Sequence, residues 1–369
     1  MKWETTTILC CVITLVLLGV LMVYSVTAVQ PKLQHLFSRH VQFAMLGVAV
    51  MFLAARFDYR RLAEPLTYRI LAGAVLALLV LVLFFGRESG GGTRWLFGFQ
   101  PSELAKIALV VLLAAKLTVN REQAGEFLRG YVPPVLITCL FAGLIILERD
   151  LGLPVVLCGA AGVVMCVAGV RWRYLFASLM AGASAVALFI ATTPYRSERW
   201  EAYINPWEHR KEAGWQLIQS LSAFAQGGVA GRGAGAGEQK LGYLPAAHTD
   251  FIFSIIGEEL GLVGTLATVA LFMMLVFVLF RVAMNARDQF GALLVTGIAA
   301  LIAVQALFIM GVTTGLLPTK GLPLPFVSSG GTALIVYLGL IGIALNVALQ
   351  SGEARRPARG AAALQTVRA

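Results

Sequence analysis

Charge is scarce in this sequence. Asp, Glu, Lys and Arg make up 13% of the 369 residues, against 59% hydrophobic residues and a mean hydropathy of +0.82. Soluble domains carry about 25% charged residues, so a soluble globular protein is excluded. A phosphate-binding glycine loop and an ATP-binding cassette are both missing. That argues against energy coupling by ATP hydrolysis in this chain. The five cysteines (Cys10, Cys11, Cys139, Cys158 and Cys166) have no metal-ligand spacing with histidine, and an odd number makes no disulfide framework. All five sit in apolar segments and read as small core residues. The net charge of +10 reads as basic loops flanking a membrane rather than as a nucleic-acid surface.

What the chain has in abundance is apolar sequence. Ten apolar segments lie near 8–29, 41–56, 67–85, 103–119, 132–147, 152–170, 174–191, 259–281, 290–313 and 332–350, the second and fifth being short. A bilayer core about 30 Å thick takes roughly 20 apolar residues per helix. Backbone polar groups cannot stay unpaired there, so the runs imply a helical bundle. The expected fold is all-α: a polytopic membrane protein of about ten transmembrane helices, with a large extracytoplasmic loop between helices 7 and 8. Residues 1–350 form one domain, and 351–369 a short cytoplasmic tail expected to be disordered. The first segment reads as an uncleaved helix, since it is long enough to span and its flank has only Lys2 against Glu4. With the N-terminus inside, the cytoplasmic ends hold sixteen Lys and Arg and the short outer loops six. This bias places both termini in the cytoplasm and the long loop outside.

That loop, Thr192 to Gly261, is long, charged, aromatic and glycine-rich. Loops beyond about 12–15 residues are usually functional or disordered, and its Trp, Tyr and Phe content argues against disorder. It ends in His248, Thr249 and Asp250, just ahead of an apolar run, with Arg232 and Lys240 upstream and Glu258 and Glu259 downstream. Asp250 suits a helix cap, but an acid at an outer surface among such neighbours also suits a general base. The glycines from Gly227 to Gly237 lack the strand-turn-helix context of a phosphate loop and favour a flexible turn or close helix contact.

Other candidates sit at the outer end of the bundle. Lys106 follows Glu103 by three positions on one helix face. Ionisable groups in a membrane segment are expensive and usually functional; the plainer reading is a pair that snorkels to the surface. Ser102 and Glu103 could cap that helix. Arg94, in a glycine- and aromatic-rich turn, suits a phosphate or a lipid headgroup. Asp150 suits the cap of the sixth segment. A second polar hairpin, Leu317 to Gly331, carries three prolines and reads as a re-entrant turn buried by protein. Its Lys320, Ser328 and Ser329 could meet a pyrophosphate.

The ordered stretches RWLFGFQPSELAK (94–106), ERDLG (148–152), GWQLIQSLSAFAQGG (214–228), KLGYLPAAHTDFIFSIIGEELG (240–261) and LLPTKGLPLPFVSSGG (316–331) resemble the SEDS family (shape, elongation, division and sporulation), the polytopic peptidoglycan polymerases. PTKG and QSLSAF are more similar to its division branch than to its elongation branch. Two departures are visible: Glu148-Arg149 where Gln-Pro is more frequent, and Ser329 where Tyr is usual. The resemblance implies a substrate, lipid II, polymerised on the outer face of the bacterial inner membrane with release of the lipid pyrophosphate. It also implies a class B penicillin-binding transpeptidase as partner, alongside other division proteins. The family's essential acid falls on Asp250, and its helix-four Glu and Lys on Glu103 and Lys106. An α-linked donor and a β-linked product make one inversion, so a single displacement suffices. Asp250 would take the proton from the acceptor hydroxyl. Arg94, Lys106, Lys320 or a divalent cation, magnesium or manganese, would meet the leaving pyrophosphate, with Lys240, His248, Ser328 and Ser329 also at the substrate. The rival from another class is a lipid II flippase, which needs a polar path to both leaflets; the unusual ionisable residues cluster at one end. A division scaffold with no catalysis is the other rival.

Overall fold

The computed structural model describes residues 2–30, 33–89, 92–96, 98–192, 200–210 and 214–354. Most of the tail expected to be disordered, and two pieces of the long loop, fall outside them. The ten expected segments are all helices: α1 (Lys2–Ala28), α2 (Gln34–Arg56), α3 (Pro65–Phe85), α4 (Pro101–Val119), α5 (Val132–Leu147), α6 (Gly152–Val167), α7 (Trp172–Ala191), α9 (Ile252–Met284), α10 (Gln289–Thr313) and α11 (Gly331–Ala354). Within the long loop lies α8 (Trp215–Gly227). A small antiparallel hairpin, β1 (Arg87–Ser89) and β2 (Gly92–Trp95), joins α3 to α4.

Seven of the described helices are long and apolar enough to cross a membrane. Of the others, α4 carries Glu103, Lys106 and Lys116, and α6 is 16 residues long. The elements start where sequence chemistry lets them. Pro65 and Pro101 open α3 and α4, a position where proline's missing N–H costs nothing. The Asp288 side chain accepts the Gly291 N–H at 2.8 Å and caps α10. The two short segments prove longer. The polar residues from Gln34 to His40 extend α2 outward, and a π-type turn at Phe127–Tyr131 leads into α5.

The eighth segment starts earlier than expected, at Ile252 rather than near 259. A half-helix, 252–260, precedes a break at Gly261 (φ 66°, ψ −161°), after which the helix resumes. This is the helix expected to carry Asp250 as its cap, although its N-cap is Phe251 and no side chain caps it. Glu258 and Glu259 on it are fully buried. Glu258 accepts the backbone N–H groups of Glu238 and Gln239. Glu259 accepts the Gly235 N–H and the Ser25 hydroxyl. The two carboxylates thus hold the glycine loop against the broken helix.

Helix α4 sits at the centre, with Ala105, Leu109 and Leu113 fully enclosed by α3, α6, α10 and α11. The pairing of α2 with α11 is the most extensive in the bundle. Only Cys11 among the cysteines is buried; Cys10, Cys139, Cys158 and Cys166 are exposed on the flank. Four of the five expected core cysteines therefore face outward, because lipid and protein interior are equally apolar and select the same residue.

Within the glycine set Gly227, Gly231 and Gly237 are closely packed, whereas Gly228 and Gly235 have nothing within 4 Å of a Cβ position. A Cβ on Gly227 would stand 1.9 Å from the Gly257 carbonyl oxygen, and one on Gly231 (φ +81°) 2.2 Å from that of Glu259. Gly73 in α3 has nothing within 4 Å of its Cβ position. Gly227→Ala is therefore expected to destabilise by about 1–3 kcal/mol or more through overpacking. Gly73→Ala should stabilise by up to about 1 kcal/mol through helix propensity. Thermal unfolding in one detergent compares the two; equal shifts would contradict the packing role.

Candidate active site

The site is organised by residues 314–330, the non-helical connection between α10 and α11. Pro318, Pro323 and Pro325 deny it helix. It enters the bundle: a Cβ on Gly19 of α1 would lie 2.6 Å from the Val327 carbonyl oxygen. Gly19 is nine residues from the C-terminal end of α1, about 13 Å along it at 1.5 Å per residue. The expected re-entrant turn is present.

At that depth its polar groups need protein partners. The Ser328 hydroxyl accepts from Leu324 N at 2.8 Å and donates to the Thr249 carbonyl at 2.5 Å. Ser329 N donates to the His248 carbonyl at 2.9 Å. On the other flank Gln305 Nε2 donates to the Pro323 carbonyl at 2.6 Å, and the Tyr337 hydroxyl donates to Gln305 Oε1 at 2.5 Å. Ser328 through its hydroxyl, and Ser329 through its backbone N–H, join this turn to the segment carrying Asp250.

Asp250 is presented by a tight turn. Ala246 takes a left-handed conformation (φ 54°), and its carbonyl accepts from Thr249, Asp250 and Phe251 N–H at 3.1, 3.1 and 3.3 Å. The carboxyl then stands against Gly321, where a Cβ would come within 2.8 Å of Oδ2. Lys320 precedes that glycine. Burial pushes the Asp250 carboxyl up to about 7; Asp150 adds to the rise, while the Thr249 hydroxyl and Arg94 oppose it. His248 is half-buried, and burial lowers its pKa, so its ring is neutral near pH 7.

Arg94 and Asp150 meet at the mouth. Arg94 donates from Nη2 to the Arg149 carbonyl at 2.7 Å and places Nη1 3.6 Å from Asp150 Oδ2. Asp150 Oδ1 accepts from Gly152 N at 3.0 Å and Leu153 N at 3.4 Å, so it caps α6 as expected. Arg94 is thus tied to protein rather than spread on the surface as a headgroup anchor.

Lys106 does not snorkel. It is fully buried, 2.7 Å from Glu103 Oε2 and 4.4 Å from the centre of the Tyr337 ring. Glu103 pairs with it and Ser102 accepts from Gln100, so neither caps α4 through its side chain. Lys240 departs further from expectation. Its ammonium donates to Glu259, Ser25 and Gly235 at 2.7, 2.7 and 2.6 Å. All three hydrogens are spent on the loop, α1 and the half-helix, so Lys240 is a strut that ties the loop to the bundle. Tyr337 and Gln305 lie outside the sequence expectations, although polar groups in apolar helices are a readable signal. Among the described residues no group of three His, Cys, Asp or Glu side chains is placed to hold a metal ion, so no step is routed through the divalent cation.

A family model described as "Cell cycle protein", for FtsW, RodA and SpoVE, matches residues 5–353. The chain belongs to this family. It is 41% identical to the probable peptidoglycan glycosyltransferase FtsW of Geobacter metallireducens over 349 residues, 92% of this chain and 93% of that one. It is 32% identical, with a TM-score of 0.80, to a chain in a solved peptidoglycan synthase complex described as coordinating polymerization and crosslinking; the match covers 93% of this chain and 97% of that one. The rod shape determining protein RodA of Thermus thermophilus superposes with a TM-score of 0.70 at 30% identity, over 93% and 96% of the two chains. This SEDS chain is a multi-pass membrane protein, as its apolar helices require.

The buried Glu103–Lys106 pair gives a sharp test of packing energetics. Lys106→Met leaves Glu103 enclosed without a counter-charge and is expected to destabilise by about 3–5 kcal/mol. Adding Glu103→Gln should recover part of that loss. Unfolding measurements on the single and double variants check it; additive losses would mean that the pair is not coupled.

Proposed function

We propose that this chain polymerises lipid II into glycan strands on the outer face of the bacterial cytoplasmic membrane, serving septal wall synthesis, with Asp250 as general base. It is a peptidoglycan glycosyltransferase, as its FtsW relatives are named. The observation that supports the mechanism best is the setting of Asp250: half-buried, raised to about 7, and pressed against a re-entrant turn that carries Lys320. A base titrating near the working pH combines a populated carboxylate with useful proton affinity.

The acceptor sugar hydroxyl attacks the donor's anomeric carbon, and Asp250 receives its proton. The bond to the pyrophosphate breaks on the opposite face in the same displacement. Charge gathers on the leaving pyrophosphate, where Lys320 and Arg94 supply positive field. Lys106, neutralised by Glu103, holds the wall behind the turn. An apolar cleft of about 470 Å³ at the outer end of α3, lined by Leu81, Phe85, Arg87, Trp95 and Leu96, suits an isoprenoid tail arriving from the outer leaflet. Both chain ends lie in the cytoplasm by the arginine and lysine bias. The solved relative belongs to a complex that joins polymerization to crosslinking, and a class B transpeptidase is the corresponding partner here.

The decisive experiment supplies labelled lipid II to the purified protein with its cognate transpeptidase. Wild type yields a glycan ladder. Asp250→Asn, shown to be folded, loses at least about 10²-fold in rate. An unchanged ladder in the variant would remove Asp250 as base, and no ladder from wild type would move the assignment to a flippase or a scaffold. The active form of Asp250 is the carboxylate, so the wild-type rate should climb as pH rises through about 7; a flat profile between about pH 6 and 7.5 would contradict it.

A further inference from the structure

The turn between α5 and α6 holds one acid that the mechanism above leaves unused. Glu148 is fully buried, and neither of its carboxyl oxygens bonds to any described residue. Charged and polar groups face it from three elements. Asp150 lies two residues on, Arg94 approaches from β2, and the Ser102 hydroxyl at the head of α4 is near enough to oppose the rise of its pKa. Deeper on α4, Glu103 and Lys106 are occupied with each other. Across the mouth, Asp250 feels the same two groups, Arg94 and Asp150.

Arg94 is therefore the shared cation of three carboxyl groups. Its Nη atoms are given to the Arg149 carbonyl and to Asp150, while its Nε is buried without a partner. A buried carboxylate with no ion-pair partner takes up a proton rather than stay charged. As a neutral acid Glu148 makes no claim on Arg94. Ionised, it would put a third negative charge beside the guanidinium and compete for the free Nε.

We propose that Glu148 is a positioning residue that must stay protonated: neutral, it leaves Arg94 to Asp150 and to the field at Asp250, and ionised, it draws Arg94 away and stops polymerisation. The proposal rests on the polymerase reading for its activity arm only. Burial first, and Asp150 second, push the Glu148 carboxyl up to about 8, against the pull of Ser102 and Arg94. The pH–rate profile is then a bell, with an acid limb from Asp250 and an alkaline limb from Glu148.

The test uses the protein with its transpeptidase and lipid II at pH 7 and pH 9. One pH unit above its pKa a group is about one-tenth protonated, so the Glu148 limb costs wild type about tenfold between pH 7 and pH 9, offset in part by a roughly twofold gain as Asp250 finishes ionising. Glu148→Gln keeps the shape and cannot ionise. Its ratio of rate at pH 9 to rate at pH 7 should exceed the wild-type ratio by about tenfold. Superimposable profiles for the two proteins would overturn the proposal. Infrared spectroscopy of the same samples reads protonation without reference to activity. Asp250, about half protonated at pH 7, contributes its own carbonyl band, so the reading is the wild-type minus Glu148→Gln difference spectrum. That difference should show a buried-acid carbonyl band at pH 7 that fades by pH 9. No such band at pH 7 overturns the proposal whether or not glycan is made. A band that titrates in a protein that makes no glycan upholds the buried acid and sinks the polymerase reading instead.

Discussion

Irregular backbone inside a bilayer is tolerable only where protein satisfies it. Residues 314–330 meet that condition, and the rest of the site depends on how. The turn rests on α1 at Gly19, on α6 through Leu322 packed over Gly152, on α10 through Gln305, and on the Asp250 segment through Ser328 and Ser329. Each support is short and directional. The turn therefore fixes the distance between two things that chain connectivity alone would leave independent: the acid at the end of the outer loop and the charged pair in α4. The second connection runs from Pro323 through Gln305 and Tyr337 to Lys106.

Electrostatics at the mouth are arranged around few cations. Arg94 and Lys106 face Glu103, Glu148, Asp150 and Asp250 in a partly dehydrated space. Lys106 is committed to Glu103, and Arg94 to Asp150. The remaining acids, Asp250 and Glu148, are the ones whose proton affinity rises. The raised proton affinity of Asp250 comes first from its burial and only then from the balance of charge around it.

How much of this was legible in the sequence follows from the range of the forces involved. Apolar runs report burial in lipid residue by residue, so the ten helices could be read directly. Short-range chemistry was also readable: Asp150 as a cap, the prolines of the re-entrant turn, and Asp250 as the acid closing the loop. Long-range pairing was not. Lys240 looks like a surface cation until Ser25 and Glu259 arrive from elsewhere in the chain. Lys106 reads as a snorkelling lysine unless Tyr337 is known to lie above it. A helix after Asp250 could be read from the cap residue and the apolar run, but nothing local shows that Glu238, Gln239 and Gly235 will bond to its two glutamates. The cysteines failed for the opposite reason: hydropathy scores the apolar environment and is blind to whether lipid or protein provides it.

The seam between the re-entrant turn and the Asp250 segment has a consequence for how these sequences can drift. At 328 the seam uses a side-chain hydroxyl in two bonds, so only a residue with a small donor and acceptor fits. At 329 and 248 it uses main-chain atoms alone. Those two positions hold the geometry whatever side chain they bear. The serine at 329 can therefore stand in place of a large aromatic residue without loosening the seam, and a change of side chain at 329 or 248 leaves the main-chain bond between them to be made.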